Sequence, residues 1–256
     1  MPSKTKRQVQ KIIRRIKSAL ARPVRVGNLH SYYRFSDAGY DKLKPLYVNN
    51  KNCLRNFVQH FGEEKTLVFA DNVSDVNWDQ LLNSYPITKC ERTSLGSSLG
   101  FNNVLDLALK LPPEDAVYFV EGDYLHREGA ERLLIEGLEL GADYVTLYDH
   151  PDKYFDGGNP LIEGDGEITK VFLTKSGHWK LTNSTTMTFA ATVKTLRKDE
   201  LVLRKWTNSK HPHDFDMFME LGDMGRSLIS PLPGYSTHGE TKWLCPLVDW
   251  ESVASE

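Results

Sequence analysis

From residue 28 onward the chain alternates between two rhythms. Short runs in which apolar residues crowd together are followed by longer runs in which they recur every three or four positions. "LHSYYRF" (29–35) reads as a strand. "NNKNCLRNFVQHFG" (49–62) reads as a helix, with Asn49 or Asn50 as cap and Gly62 as stop. "KTLVFAD" (65–71) is a short buried strand, "VNWDQLLNSY" (76–85) a short helix and "ITKCERT" (87–93) a further strand. "FNNVLDLALKL" (101–111) has helical spacing and stops at Pro112-Pro113. "DAVYFVEGD" (115–123) is a continuous apolar run ending in acids; helix "REGAERLLIEGLELG" (127–141) and strand "ADYVTLYD" (142–149) follow. This alternation predicts an α/β fold: a mostly parallel sheet with helices on both faces.

The rhythm breaks after Asp149. Residues 150–193 are rich in turn formers, with short strand-like runs. "FDMFMELGDMG" (215–225) predicts a helix stopped by Gly225, and "SLISPLPGYSTHGE" (227–240) a strand followed by a loop. With no internal repeat and no low-complexity linker, residues 26–256 read as one domain with a smaller, turn-rich lobe from about 151 to 250.

Charge adds a separate segment. Residues 1–25 hold nine of the 32 basic residues and none of the 34 acids, which leaves the remainder at −11. "TKRQVQKIIRRIKSALARP" spaces Val9, Ile12, Ile13, Ile16 and Leu20 as one helical stripe among basic residues, and Pro23 ends it. One reading is a basic amphipathic helix (residues 5–21) on an anionic membrane surface, each cation adding ~1 kcal/mol. The other is a helix packed on its own domain or a partner chain. Nucleic acid is disfavoured, because the acidic body repels a polyanion. No apolar run reaches the ~18–20 residues needed to span a bilayer, and the basic N-terminus lacks the apolar stretch of a secretory signal. Cys53, Cys90 and Cys245 form no CxxC pattern, so a reducing, cytoplasmic setting is expected.

Candidate chemistry centres on a tripeptide that occurs twice, Glu121-Gly122-Asp123 and Glu163-Gly164-Asp165. The second copy, in "IEGDGEI", reads as a hairpin turn. The first ends an apolar strand, at the edge where open α/β sheets bind ligands. Two carboxylates at i and i+2 share one side of the chain, and Gly122 lets backbone approach a ligand. Mg²⁺ or Mn²⁺ suits such oxygen donors and commonly brings phosphate with it. The plainer alternative is that these acids cap the helix starting near Arg127. Asp214-Phe215-Asp216 is a second acidic pair, but no apolar strand delivers it; Asp216 reads as a helix-start acid.

The order of these segments resembles the GT-A-fold glycosyltransferases, especially the large inverting family that uses nucleotide sugars, over roughly residues 29–240. The resemblance implies a GT-A-like (Rossmann-like) sheet with a nucleotide-binding part about 28–150 and an acceptor part about 151–250. "LVFADNVSD" is similar to the strand and Asp-rich loop that meets the nucleobase, with Asp71 in that position. "GFNNVLDLAL" resembles the following helix, with Asn102 and Ala108 matching. "VYFVEGDY" resembles the strand ending in the D-x-D motif. That implies ribose and metal contacts for Glu121 and metal ligation for Asp123. "HDFDMFMELGDMG" implies Asp214 as catalytic base, and "GYSTHGE" implies His238 as a late metal- or phosphate-binding residue.

Two positions depart from the pattern: Glu121 stands where Asp is usual, and His213 where Glu precedes the base. Arg34 or Asp37, in the long first loop, is expected at the base or diphosphate. His213 and Trp179 are expected to meet the acceptor, Trp179 by stacking on a sugar. The implied activity is inverting transfer from a nucleotide-diphosphate sugar to a glycan, lipid-linked or other hydroxyl acceptor, with Mn²⁺ or Mg²⁺ on the diphosphate. A sugar-phosphate nucleotidyltransferase is the second reading, weakened because "RFSDAGYDKLKP" lacks a Gly cluster; a non-catalytic carbohydrate-binding protein is the third.

Overall fold

A computed structural model describes residues 23–37, 42–84, 87–162, 164 and 166–256. The basic N-terminal helix and the turn at Glu163 and Asp165 lie outside the described residues.

The predicted elements form closely. Strand β1 is Leu29–Phe35, helix α1 Asn50–Phe61 and strand β2 Thr66–Asp71. Asn49 caps α1 by accepting a hydrogen bond from the Asn52 N–H, and Gly62 ends it at φ 77°. Helix α2 (Asp75–Ser84) leads to β3 (Cys90–Thr93), and α3 (Ser97–Ala108) to β4 (Ala116–Glu121). β5 (Tyr124–His126) precedes α4 (Ala130–Glu139) and the short β6 (Tyr144–Val145). β7 (Val171–Leu173), β8 (His178–Leu181) and β9 (Phe189–Thr192) come from the turn-rich stretch. α5 (Val193–Trp206), α6 (Asp214–Asp223), β10 (Leu228–Leu232), β11 (Ser236–His238) and α7 (Trp250–Ser255) complete the order.

Among the described residues, nine strands make one sheet in the order β3-β2-β1-β4-β9-β6-β10-β8-β7. β3, β2, β1 and β4 run parallel, and of the later strands β9 and β8 run antiparallel to them while β6, β10 and β7 share their direction. The sheet is therefore parallel in its first half and mixed in its second. β1 is the first strand, and the chain builds away from it on both sides. This topological switch opens a crevice beyond the carboxyl ends of β1 and β4.

Alternation along β1 feeds a core on each face. Tyr33 packs with Phe57 of α1, which stacks on Phe61 at 4.6 Å. Tyr32 faces the other way, toward Phe69 and Phe119. Trp179, expected to stack on a sugar, is wholly buried instead. Its ring closes on Gly137 of α4, where an added Cβ would come within 2.7 Å, and its indole N–H donates to the Thr174 hydroxyl. It is a core residue, placed inward by the pleat of β8. The turn-rich stretch is held by a buried ion pair, Lys180 to Asp149 at 2.9 Å, and by buried hydrogen bonds that Lys153 donates to Asn183 at 2.7 Å and Ser184 at 2.8 Å.

Candidate active site at the carboxyl edge of β1 and β4

β1 and β4 end side by side, with Arg34 registered against Glu121. Gly122 follows so closely that a Cβ there would meet the Arg34 carbonyl oxygen at 2.6 Å. The Tyr33 hydroxyl donates to the Gly122 carbonyl at 3.1 Å, and the Glu121 N–H donates to the Thr188 hydroxyl at 3.1 Å. The first acidic tripeptide is thus fixed by β1 and by the approach to β9.

Asp123 then enters β5, whose antiparallel partner β11 places His238 opposite Tyr124. This ribbon, joining segments more than a hundred residues apart, brings His238 Nε2 within 3.4 Å of Asp123 Oδ2. Gly239 lets the returning chain pass: a Cβ there would lie 2.7 Å from the Asp123 carbonyl oxygen.

Two residues that the sequence reading left unassigned join them. Lys44 Nζ lies 2.9 Å and Lys42 Nζ 3.5 Å from Asp123 Oδ2, and Lys42 Nζ lies 3.0 Å from His238 Nε2. Burial by itself would raise the Asp123 carboxyl. The hydrogen bond and charge of His238 and the charges of Lys42 and Lys44 outweigh it and hold the group well below the usual carboxylate range. Glu121 goes the other way: burial and the neighbouring Asp123 push it up, against Lys42, His238 and Arg34.

Asp214 begins α6, and its carboxylate accepts from the Phe215 N–H at 2.8 Å. Burial, then the charge of Glu121, raise its pKa to about 6. The second-half helix therefore delivers its first acid into the field of Glu121. His213, just before it, is more than half exposed, and its backbone N–H is anchored on the Trp206 carbonyl.

A cleft open to solvent runs beside Glu121. Tyr32, Phe69, Phe101 and Phe119 give it aromatic walls; Arg34, Asp71 and Glu121 supply its charge. Asp71 is almost wholly buried and its oxygens are engaged. They accept from Arg34 Nη2 at 2.6 Å, from the Leu95 N–H at 2.7 Å and from the Gly96 N–H at 3.1 Å. Burial would raise its pKa, yet these donors hold it below the usual range. Asp71 thus orients Arg34 and the Leu95–Gly96 turn. Asp37 is likewise spent on the Ser74 N–H and hydroxyl.

Asn102 joins two helices. Its amide donates to the Thr207 carbonyl at 2.9 Å and accepts from the Thr207 hydroxyl, tying α3 to the end of α5. One residue on, a ~100° turn of the helix, Asn103 lines the cleft instead.

The sequence predicts Mn²⁺ or Mg²⁺ on Asp123 and His238, and the side chains around them do not fit that role. Among the described residues, no three His, Cys, Asp or Glu side chains form a cluster suited to a metal ion. Asp123 Oδ2 and His238 Nε2 both face ammonium groups. Two unit charges ~4 Å apart interact by about 4 kcal/mol at an effective dielectric near 20, so a dication beside each ammonium is opposed by about twice that.

No helix among the described residues is long and apolar enough to cross a membrane, and Cys53, Cys90 and Cys245 are unpaired.

No known protein family matches the chain by sequence, and no curated protein does. Solved structures match its shape. GalNAc-T7, determined with UDP, GalNAc and Mn²⁺, superposes at a TM-score of 0.55 with 10% identity, over 80% of this chain and 42% of that one. A nucleotidyl transferase from Methanothermobacter thermautotroptrophicus gives a TM-score of 0.44 with 10% identity, over 80% of this chain and 86% of that one. The chain spans less than half the length of GalNAc-T7. At this identity the likeness establishes the fold, and that fold is GT-A-like.

Proposed function

We propose that the protein is an inverting glycosyltransferase that moves a sugar from a nucleotide-diphosphate sugar to a hydroxyl acceptor. What supports this is the placing of Asp214, at the start of α6, within reach of the charge of Glu121. An acid from the second half of the chain is raised to about 6 partly by the acid that ends β4, beside an aromatic cleft at the sheet's switch point. The GT-A-like fold supports the reading.

The nucleoside enters the aromatic cleft, where Arg34, aimed by Asp71, meets the base or the diphosphate. Glu121, at the cleft edge, meets the ribose. The acceptor approaches over exposed His213. Its oxygen forms the new bond to the anomeric carbon, and the bond from that carbon to the diphosphate oxygen breaks. The electron pair leaves with the nucleoside diphosphate, and the acceptor proton passes to Asp214. A base near 6 is ionised at neutral pH and still basic enough to take a proton as the bond forms. No step is routed through a cation.

A glycan or lipid-linked acceptor, a cytoplasmic site of action, and residues 5–21 as a contact with an anionic membrane belong to the same proposal. The test is nucleoside diphosphate release from a panel of nucleotide sugars, with and without simple glycan acceptors. Release from at least one donor, lost in Asp214→Asn, supports the reading. Pyrophosphate formation from a nucleoside triphosphate and a sugar phosphate would instead identify a nucleotidyltransferase, and no turnover with any donor would favour a non-catalytic binder.

A further inference from the structure

We propose that Lys42 and Lys44, rather than a bound cation, carry the negative charge of the departing diphosphate. The inference rests on the glycosyltransferase reading and deepens it. Transfer leaves a diphosphate that must be met by positive charge, from a metal ion or from the protein. Here the protein places two ammonium groups on Asp123, at 2.9 Å and 3.5 Å, with His238 beside them.

The pair is held in place by its own backbone. Leu43, between the two lysines, accepts at its carbonyl from the Thr241 N–H at 2.8 Å and the Thr241 hydroxyl at 2.9 Å. Thr241 lies three residues past His238, so one short segment sets the histidine and the lysines together. Val48, later in the same loop, packs where a Cβ on Gly239 would stand, at 2.2 Å from its Cγ1. Asp123 acts as the counter-charge that aims the lysines while the site is empty of phosphate.

The placement also fits the direction of the nucleotide. Glu121 borders the cleft on one side and feels the charges of Lys42 and His238 on the other. A nucleoside in the cleft runs its diphosphate past Glu121 toward the lysines. Both remain partly open to solvent, Lys42 at 17% and Lys44 at 35%, so incoming phosphate oxygens can reach them. Lys42 and Lys44 would then be catalytic residues in the strict sense, touching the leaving group.

The experiment is calorimetric titration of the full chain with UDP, GDP, CDP, ADP and dTDP, once in EDTA and once in Mn²⁺. The expected result is that the best nucleotide binds within about threefold in the two buffers. Lys42→Gln/Lys44→Gln should weaken it by about 10–100-fold, the loss of charge-assisted bonds to phosphate. Lys42→Arg/Lys44→Arg should recover most of the affinity and covers the case in which the glutamine pair fails to fold. Binding that is lost in EDTA, or that survives the glutamine pair unchanged, overturns the proposal while leaving the glycosyltransferase reading intact. Failure of every nucleotide in both buffers overturns that reading, and this proposal with it.

Discussion

Replacing Asp214 by Asn separates chemistry from structure at this site. Asn keeps the oxygen that accepts from the Phe215 N–H and loses only the ability to take a proton. A positioned base contributes ~10²–10⁴-fold, equivalent to about 3–5 kcal/mol of barrier. Turnover should therefore fall by that factor while nucleotide affinity stays within about threefold, because Asp214 meets the acceptor rather than the donor. The pH profile adds a second signature. A base with a pKa of about 6 is active ionised, so the wild-type rate should fall below pH 6, roughly tenfold per unit, and level off above it. The variant should lack that acid limb. Stability supplies the control. The folded pKa lies above that of an unfolded Asp, so the ionised carboxylate weakens the fold at neutral pH. The variant should accordingly melt no lower than wild type. Stopped-time assays of nucleoside diphosphate release from about pH 4.5 to about pH 8.5, with thermal melts of both proteins, measure all three. A variant that keeps a third or more of the activity, or one whose residual activity retains the same acid limb, refutes Asp214 as the base.

Three other substitutions probe the frame around it. Asp71→Asn should cost about 2–3 kcal/mol, since Arg34 and two backbone N–H groups lose a charged acceptor; chemical denaturation checks it. The Asp71 contribution is complete above the unfolded value near ~3.9 and is lost as pH falls through the lower folded value. Asp199→Asn should lower the melting temperature by roughly 6–12 °C, from about 3 kcal/mol, because buried Asp199 grips Arg226 through two bonds of 2.7 and 2.6 Å and also accepts from Tyr144; calorimetric melting checks it, and a fall under 2 °C counts against it. Gly122→Ala should cost about 1–3 kcal/mol and also reduce nucleotide binding, since its Cβ would force β4 away from the Arg34 carbonyl and shift Glu121 and Asp123; unchanged stability and binding would show that the approach is relieved cheaply.

The parallel half of the sheet was legible because its signals are local. β1 spans the residues its pattern marks, and the Asn49 cap and Gly62 stop bound α1 as read. Glu121 and Asp123 were found from an apolar strand ending in acids, and Asp214 from the resemblance.

What was missed depends on long-range pairing. α5 escaped because its buried stripe, Val193, Leu196, Asp199 and Val202, contains a carboxylate whose partner, Arg226, lies 27 residues away. β5 is three residues long and exists through β11. His126 is buried against Tyr118, with its backbone N–H on Asn56. Trp179 looked exposed because turn residues surround it, while the pleat of β8 turns it inward. Lys42 and Lys44 were invisible as site residues, since nothing near them in sequence marks an acid that folds in from β4 and a histidine that returns on β11.

The central claim is sugar transfer with inversion, and proton NMR of the anomeric region reads it directly. The protein is incubated with each nucleotide sugar, with and without acceptor, and followed from the first minutes. One donor's sugar-phosphate signal should decay while the first-formed product carries the opposite anomeric configuration. A product that first appears with the donor's configuration, or donor signals that all persist, would contradict that claim.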